Sequence, residues 1–354
     1  MKQIYSDVIQ FRGTHYEFGY MQGEELKDSL TVKNREDQWK IRQPRFTVEE
    51  EEVKRAITRF APGVWEELLG LQEALKWPID RVLQEFGGYR LDYVRSGCSI
   101  MTGNDYLIRN YDYHPKTYEG RYVLFQPTDQ GYSSIGPSQR GTGRMDGMNE
   151  KGLVIGYNFM NRKNPGDGFI CCMIGRLIVE SCADVQEAVA MLKEIPHRHS
   201  FTYVVYDKSG STYIVETSPR NVEVRTSNAC TNHFEIMKNE NRNHLIDSKR
   251  RLEIIQDHEG KLSSVYDAYR LFNDTNQGVF SDLYSSWAGT IHTSAYLPKE
   301  MKAWIALGGN QEPTSIDFAK WLEGEDVKLE RINGVIDTDI PFVHMDEGAN
   351  WFRN

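Results

Sequence analysis

The run Gly97-Cys98-Ser99-Ile100-Met101, the turn signal Gly103-Asn104-Asp105 and the run Leu107-Ile108-Arg109-Asn110-Tyr111-Asp112-Tyr113 read as a β-hairpin whose first strand opens on a cysteine. A hairpin lays its two arms side by side. A thiol, a guanidinium and a carboxylate are therefore expected at one end of a sheet. The same stretch marks a change in the chain: helical periodicity dominates before residue 90, and strand alternation dominates after Cys98.

Residues 4–12 read as a short edge strand ended by Gly13-Thr14-His15, and residues 16–30 as a helix. Thr47 is a good N-cap for the next helix, with Glu49 and Glu50 in its first turn. Pro62-Gly63 breaks that helix; residues 64–75 and 79–86 give two more. Strand patterns then follow at 99–102, 106–112, 121–126, 132–136, 143–148 and 152–158. Residues 168–195 interrupt them with an apolar run that continues as a helix, its second half capped by Asp184. A three-strand meander over 201–225, helices at 245–257 and 262–273, and a hairpin over 290–307 complete the reading. Helices, antiparallel strands, a helix pair and more strands in that order predict an α+β sandwich.

A formal net charge of -9 leaves no broad basic surface for nucleic acid or an anionic membrane. No apolar run approaches the length of a membrane span. The five cysteines (Cys98, Cys171, Cys172, Cys182 and Cys230) are odd in number, irregular in spacing and without a C-x-x-C. That argues against a disulfide framework or zinc knuckle and predicts a reducing, cytoplasmic setting. The first 13 residues lack the apolar stretch of a secretion signal. The Gly-rich stretch 131–147 lacks a Gly-Lys-Ser/Thr ending, so it is not a phosphate loop. Neither a metal nor an organic cofactor is implied.

A thiol beside a cation is the better nucleophile, because the cation favours the thiolate. Arg109 is the candidate cation. A base is needed as well, and His114, His233 and His292 are the histidines to weigh. Cleavage of the Gly97–Cys98 bond offers another base. It frees an α-amine on Cys98, with an ordinary pKa of about 7.7–8.0. Asp112 would then hold the ammonium and Arg109 the thiolate. Gly97, lacking a Cβ, suits the backbone distortion that attack by Cys98 on its own preceding carbonyl requires. The bland readings stand beside these. Cys98, Cys171 and Cys172 each suit a core, Arg109 and Asp112 suit a structural ion pair, and Asn232 suits a turn.

Gly97-Cys98-Ser99 followed by Arg109-Asn110-Tyr111-Asp112-Tyr113 resembles the choloylglycine hydrolase and penicillin V acylase group. It is closer still to the isopenicillin N acyltransferase-like branch, which includes acyl-CoA:6-aminopenicillanic acid acyltransferase. The block Asp146-Gly147-Met148-Asn149-Glu150-Lys151-Gly152-Leu153 running into Tyr157-Asn158-Phe159 resembles the family too, as do Thr231-Asn232-His233-Phe234 and Gly13-Thr14-His15-Tyr16-Glu17-Phe18-Gly19. The resemblance covers most of the chain.

It implies an N-terminal nucleophile (Ntn) hydrolase with a four-layer αββα sandwich. Residues 1–97 would be a mostly helical pro-segment and residues 98–354 the catalytic core, with cleavage between Gly97 and Cys98. It implies Cys98 as nucleophile, Arg109 and Asp112 as its partners, and Asn232 with the backbone near Asn158 as oxyanion donors. Tyr111, Tyr157 and Asn158 would border the substrate. The substrate would be a small acyl amide or acyl thioester, and self-association into a homo-oligomer is compatible with this reading. The family also uses a late arginine, whose position stays open here: Arg250 and Arg251 follow Ser248 but suit a helix cap or a solvated helix face equally well. Two alternatives stay open: a Cys-His thiol hydrolase that uses His233 without self-cleavage, and an uncleaved, non-catalytic binding protein on the same scaffold.

Overall fold

A computed structural model describes residues 1–42, 48–91, 97–160, 164–242, 245–346 and 349. Its strands form two sheets. The ten-stranded sheet runs β11 (Val222–Arg225), β10 (Thr212–Thr217), β9 (Phe201–Tyr206), β8 (Val154–Phe159), β7 (Asp146–Asn149), β5 (Ser134–Gln139), β4 (Arg121–Pro127), β1 (Lys2–Gly13) and β17 (Arg331–Ile336), with β6 (Gly143–Arg144) paired to β5. The seven-stranded sheet runs β12 (Ala229–Cys230), β2 (Gly97–Thr102), β3 (Leu107–Tyr113), β14 (Ala288–Leu297), β15 (Lys302–Leu307) and β16 (Thr314–Asp317), with β13 (Asp282–Leu283) paired to β14.

Residues such as Ile100, Tyr111, Met148, Val154, Val204 and Ile305 fill the space between the sheets. On the outer face of the ten-stranded sheet lie α6 (Cys171–Ser181) and α7 (Val185–Glu194), the latter capped by the Asp184 carboxylate as its spacing predicts. On the outer face of the seven-stranded sheet lie α8 (Ile246–His258) and α9 (Val265–Asn273), over Met101 and Ile108. The order helix, sheet, sheet, helix is the four-layer αββα sandwich.

Before Gly97 come α1 (His15–Leu26), α2 (Leu30–Arg42), α3 (Glu50–Phe60), α4 (Pro62–Leu75) and α5 (Ile79–Phe86). Val64, Leu68 and Phe86 from these helices share one apolar cluster with Ile174, Leu177 and Leu192 of α6 and α7. The helices α1 and α4 cross at glycines. A Cβ on Gly19 would sit 2.0 Å from the Glu67 carbonyl oxygen, and one on Gly70 2.1 Å from that of Tyr16. Only hydrogen side chains allow this backbone approach.

Two expectations change, and one stretch gains an assignment. Strand β1 is not an edge: it pairs parallel with β4 and antiparallel with β17. Alternation identifies a strand but not its neighbours, and β17 lies more than three hundred residues away. The single helix expected over 16–30 is two, split at Lys27-Asp28-Ser29, where the Ser29 hydroxyl bonds the Leu26 carbonyl and takes the Val32 N–H. The chain beyond residue 307, left unassigned by the pattern, adds β16, α10 (Phe318–Leu322) and β17. Thr47, the expected cap, lies outside the described residues.

Candidate active site

The hairpin forms as its pattern predicts. Gly97 pairs with Asp112, Cys98 with Tyr111 and Ile100 with Arg109. Side chains alternate across a strand, so Arg109 and Asp112, three apart, leave β3 on opposite faces. Arg109 enters the space between the sheets beside Cys98, while Asp112 faces the α8 side beside Gly97. A Cβ on Gly97 would lie 3.5 Å from Asp112 Oδ2.

Cys98 is buried. Its Sγ accepts from Arg109 Nη2 at 3.3 Å, and its backbone N–H donates to Asn232 Oδ1 at 2.8 Å. Burial pushes the thiol up to about 11, with Arg109 working against the rise. Burial outweighs the cation, and the Asp112 carboxylate adds to the rise; the guanidinium is also engaged elsewhere. Arg109 Nη1 donates to Asp146 Oδ2 at 2.7 Å, and Nε and Nη2 donate to the Tyr157 carbonyl at 3.2 and 2.7 Å. Gly156 clears the path, since a Cβ there would lie 3.0 Å from Arg109 Cδ. The guanidinium carbon sits 5.0 Å from the Tyr111 ring and 4.8 Å from the Tyr157 ring.

Asp146 was not foreseen as a site residue, although it opens the Asp146–Leu153 block. It is fully buried, and its oxygens also take the Tyr296 hydroxyl at 2.5 Å and His292 Nε2 at 3.3 Å. Burial works to raise its pKa, but the His292 and Arg109 contacts more than offset this and hold it far below the ordinary carboxylate range. An ionised carboxylate only accepts, so His292 carries its proton on Nε2. The His292 ring stacks on Tyr111 with centroids 4.9 Å apart.

Asp112 is pushed up to about 7 by burial, against the pull of Arg251 and a 2.7 Å hydrogen bond from the Thr290 hydroxyl. The pairing of β3 with β14 shifts register between Thr290 and His292. That bulge sets Thr290 opposite Asp112 and His292 opposite Tyr111, so two β14 residues that are two apart, and would share a face in a regular strand, serve both faces of β3.

Asn232 is gripped from three sides. Arg251 Nη2 donates to its Oδ1 at 2.9 Å, its backbone N–H donates to Ser248 Oγ at 2.8 Å, and its Nδ2 donates to the Phe159 carbonyl at 2.9 Å. The Asn158 side chain points to the same segment, its Nδ2 on the Cys230 and Thr231 carbonyls at 3.0 and 3.2 Å. Arg251 also reaches the Cys98 carbonyl at 2.8 Å and Ser99 Oγ at 2.6 Å. Arg250 turns away, bonding the Gly278 carbonyl and Asp247. Of the two arginines weighed for the late position, Arg251 is the one at Cys98. Ser248 and Arg251 are three apart on α8, a spacing that puts both on one helix face.

The structure thus gathers Cys98, Arg109, Asp112 and Asn232 within hydrogen-bond or ion-pair reach of one another or of Arg251. Tyr111 pairs with Cys98 across the hairpin and lies with it between the sheets. The Tyr157 ring lies in the apolar cluster on the α6 side, while its carbonyl serves the site. His233 Nδ1 faces Ser248 Oγ at 2.8 Å and Thr231 Oγ1 at 3.3 Å. Burial pushes that imidazole down to about 4. His114 sits beside Trp287, with ring centroids 4.3 Å apart.

No curated protein sequence matches the chain. Among solved structures, penicillin V acylase from Agrobacterium tumefaciens aligns at 15% identity and TM-score 0.41, covering 63% of this chain and 86% of that one. Conjugated bile acid hydrolase from Clostridium perfringens aligns at 13% and 0.43, covering 65% and 95%. The Caenorhabditis elegans ortholog of N-acylethanolamine-hydrolyzing acid amidase aligns at 14% and 0.38, covering 57% and 92%. A family model described as acyl-coenzyme A:6-aminopenicillanic acid acyl-transferase matches residues 100–312, more than half of the sequence. This chain therefore belongs to the acyl-coenzyme A:6-aminopenicillanic acid acyl-transferase family.

Proposed function

We propose that this protein is a self-activating cysteine Ntn hydrolase that hydrolyses or transfers the acyl group of a small amide or thioester through an acyl-Cys98 intermediate. Family membership supports the reaction class, an acyl transfer or acyl-amide hydrolysis. The observation that carries the finer reading is the environment of one residue. Cys98 has its sulfur on Arg109 and its own nitrogen on Asn232 Oδ1.

In the uncut chain that nitrogen is an amide and has no basicity to offer. Burial keeps the thiol protonated at neutral pH. Activation proceeds by addition of Sγ to the Gly97 carbonyl carbon. The C–N bond to Cys98 breaks, the nitrogen takes the proton, and water hydrolyses the thioester to a Gly97 carboxylate and free Cys98. The released α-amine then draws the thiol proton internally. Asp112 steadies the ammonium, and Arg109 offsets the charge on sulfur. Asn232 Nδ2 has two hydrogens; one is on the Phe159 carbonyl, and the second serves the substrate oxyanion. Losing one such donor typically costs about 2.7–4 kcal/mol of transition-state stabilisation. Residues 1–97 are, on this reading, the smaller product of the cleavage, and the setting is the cytoplasm.

Intact mass and N-terminal sequencing test the reading. Wild type gives two polypeptides, one starting at Cys98, and Cys98→Ala gives one. A wild type that remains a single polypeptide and yet turns over an N-acyl amide panel rules out the amine mechanism. If neither turnover nor labelling of Cys98 by a thiol-reactive acyl probe occurs, the protein is a binding module instead.

A further inference from the structure

Away from Cys98, the outer face of the ten-stranded sheet carries a buried charge network. His15 of α1 bonds Asp129 at 2.7 Å and Glu180 at 2.8 Å. Arg176 of α6 bonds Glu180 at 2.6 Å and Glu67 of α4 at 2.7 Å. Glu67 takes Gln22 at 2.7 Å, and Arg121 lies 3.6 Å from Glu25. Each of these cations has a carboxylate.

Arg144 does not. It is 0% exposed, and among the described residues it has no ion pair. Its Nη1 reaches only the carbonyls of Thr142 at 3.4 Å and Gly143 at 3.3 Å, the first of which also serves Arg176 at 3.1 Å. Among the described residues its Nε and Nη2 have no partner. A guanidinium stays charged in a protein, and a buried unpaired charge is costly.

A second, independent group lies on the same face of the sheet. Ser138 is the residue opposite Arg144 in the β5–β6 ladder. Directly paired residues project from the same face with Cβ atoms about 4.5–5.5 Å apart. Ser138 is also 0% exposed, and its hydroxyl has no partner among the described residues. One N–H from Nε, two from Nη2 and one O–H therefore lie on one face of the sheet as donors without an acceptor among the described residues.

We propose that Arg144 and Ser138 form an enclosed site for one small monovalent anion of chloride or bromide size, between the ten-stranded sheet and α6. The donors set the sign of the ligand. The single unpaired guanidinium sets its charge at one, because a larger charge would face Glu67 and Glu180 without compensation. Full enclosure sets its size. The ion is a structural ligand that completes the network joining α1 and α4 to α6 and the sheet, and it is independent of the reading of Cys98.

Thermal unfolding of the full chain tests this at fixed ionic strength as sodium gluconate is exchanged for sodium chloride. The wild-type midpoint rises and saturates, by roughly 2–6 °C. Arg144→Met abolishes the rise. Ser138→Ala, which removes a hydroxyl and no charge, shifts the half-saturating chloride concentration upward by about tenfold, equivalent to about 1.4 kcal/mol. Crystals grown in bromide show an anomalous peak beside the Arg144 guanidinium. Equal wild-type midpoints in gluconate and chloride overturn the proposal. So does an unchanged chloride response in either variant.

Discussion

Arg251 Nη2 donates at 2.9 Å to Asn232 Oδ1, the oxygen that also accepts the Cys98 N–H at 2.8 Å. One amide oxygen thus ties a helix on the outer layer to the strand that carries Cys98. Arg251 Nη1 doubles the tie through the Cys98 carbonyl at 2.8 Å.

Arg251→Met is therefore expected to lower both self-cleavage and turnover by about 10²–10³-fold, since hydrogen bonds to a charged group contribute about 1.5–3 kcal/mol each. Arg250→Met, at an exposed side chain, stays within about threefold of wild type. Rates of appearance of the Cys98 N-terminus separate the two, and equal losses would contradict the assignment of the arginine.

Ser248→Ala removes the acceptor of the Asn232 N–H. An unpaired buried N–H costs about 1–3 kcal/mol. The expected outcome is a kcat reduced by about tenfold with KM changed less than about twofold, restored in part by Ser248→Thr. Steady-state kinetics on a cleaved preparation measure the split. A loss confined to KM would place Ser248 at the substrate rather than behind Asn232.

His15 makes stability depend on pH. Both ring nitrogens sit on carboxylates, so both must carry hydrogen and the ring is an imidazolium. Burial works to lower its pKa, but Glu180 more than offsets that and leaves it raised above 6.5, with Arg176 opposing and Glu67 assisting. A raised pKa means the folded state holds its proton more tightly than the unfolded one. The stabilisation is complete below the unfolded value of 6.5 and fades as pH rises through the folded value. Glu180 keeps its charge well into acid, because Arg176 and His15 outweigh burial and hold it at about 2. Unfolding midpoints of wild type and His15→Asn should therefore differ most at pH 5–6 and converge at alkaline pH. A constant gap across that range would refute the charged bridge.

Gly70→Ala drives a methyl into the Tyr16 carbonyl at the crossing of α1 and α4. Overpacking against backbone, which cannot rotate aside, is expected to destabilise by about 3 kcal/mol or more. Urea unfolding measures it. A loss under about 1 kcal/mol would mean the two helices slide apart readily.

Pattern in the chain determined the elements of this protein and the residues of its hairpin. Alternation, the Gly103-Asn104-Asp105 turn and the register they impose set Cys98 opposite Tyr111, with Arg109 and Asp112 flanking, because these are short-range consequences of strand geometry. The Asp184 cap and the helix pair after residue 245 follow for the same local reason. Tertiary structure alone decided which partners meet. Arg250 and Arg251 are indistinguishable as letters, yet consecutive helical residues point about 100° apart, so only the docking of α8 selects one of them. Asp146 became the counter-ion of Arg109 because a strand from the other sheet crosses there. The Arg144–Ser138 pair acquired its character from burial under α6. Strand β1 took its place from a partner at the far end of the sequence, a contact that no local periodicity encodes, since burial and pairing are properties of assembled layers rather than of any one segment.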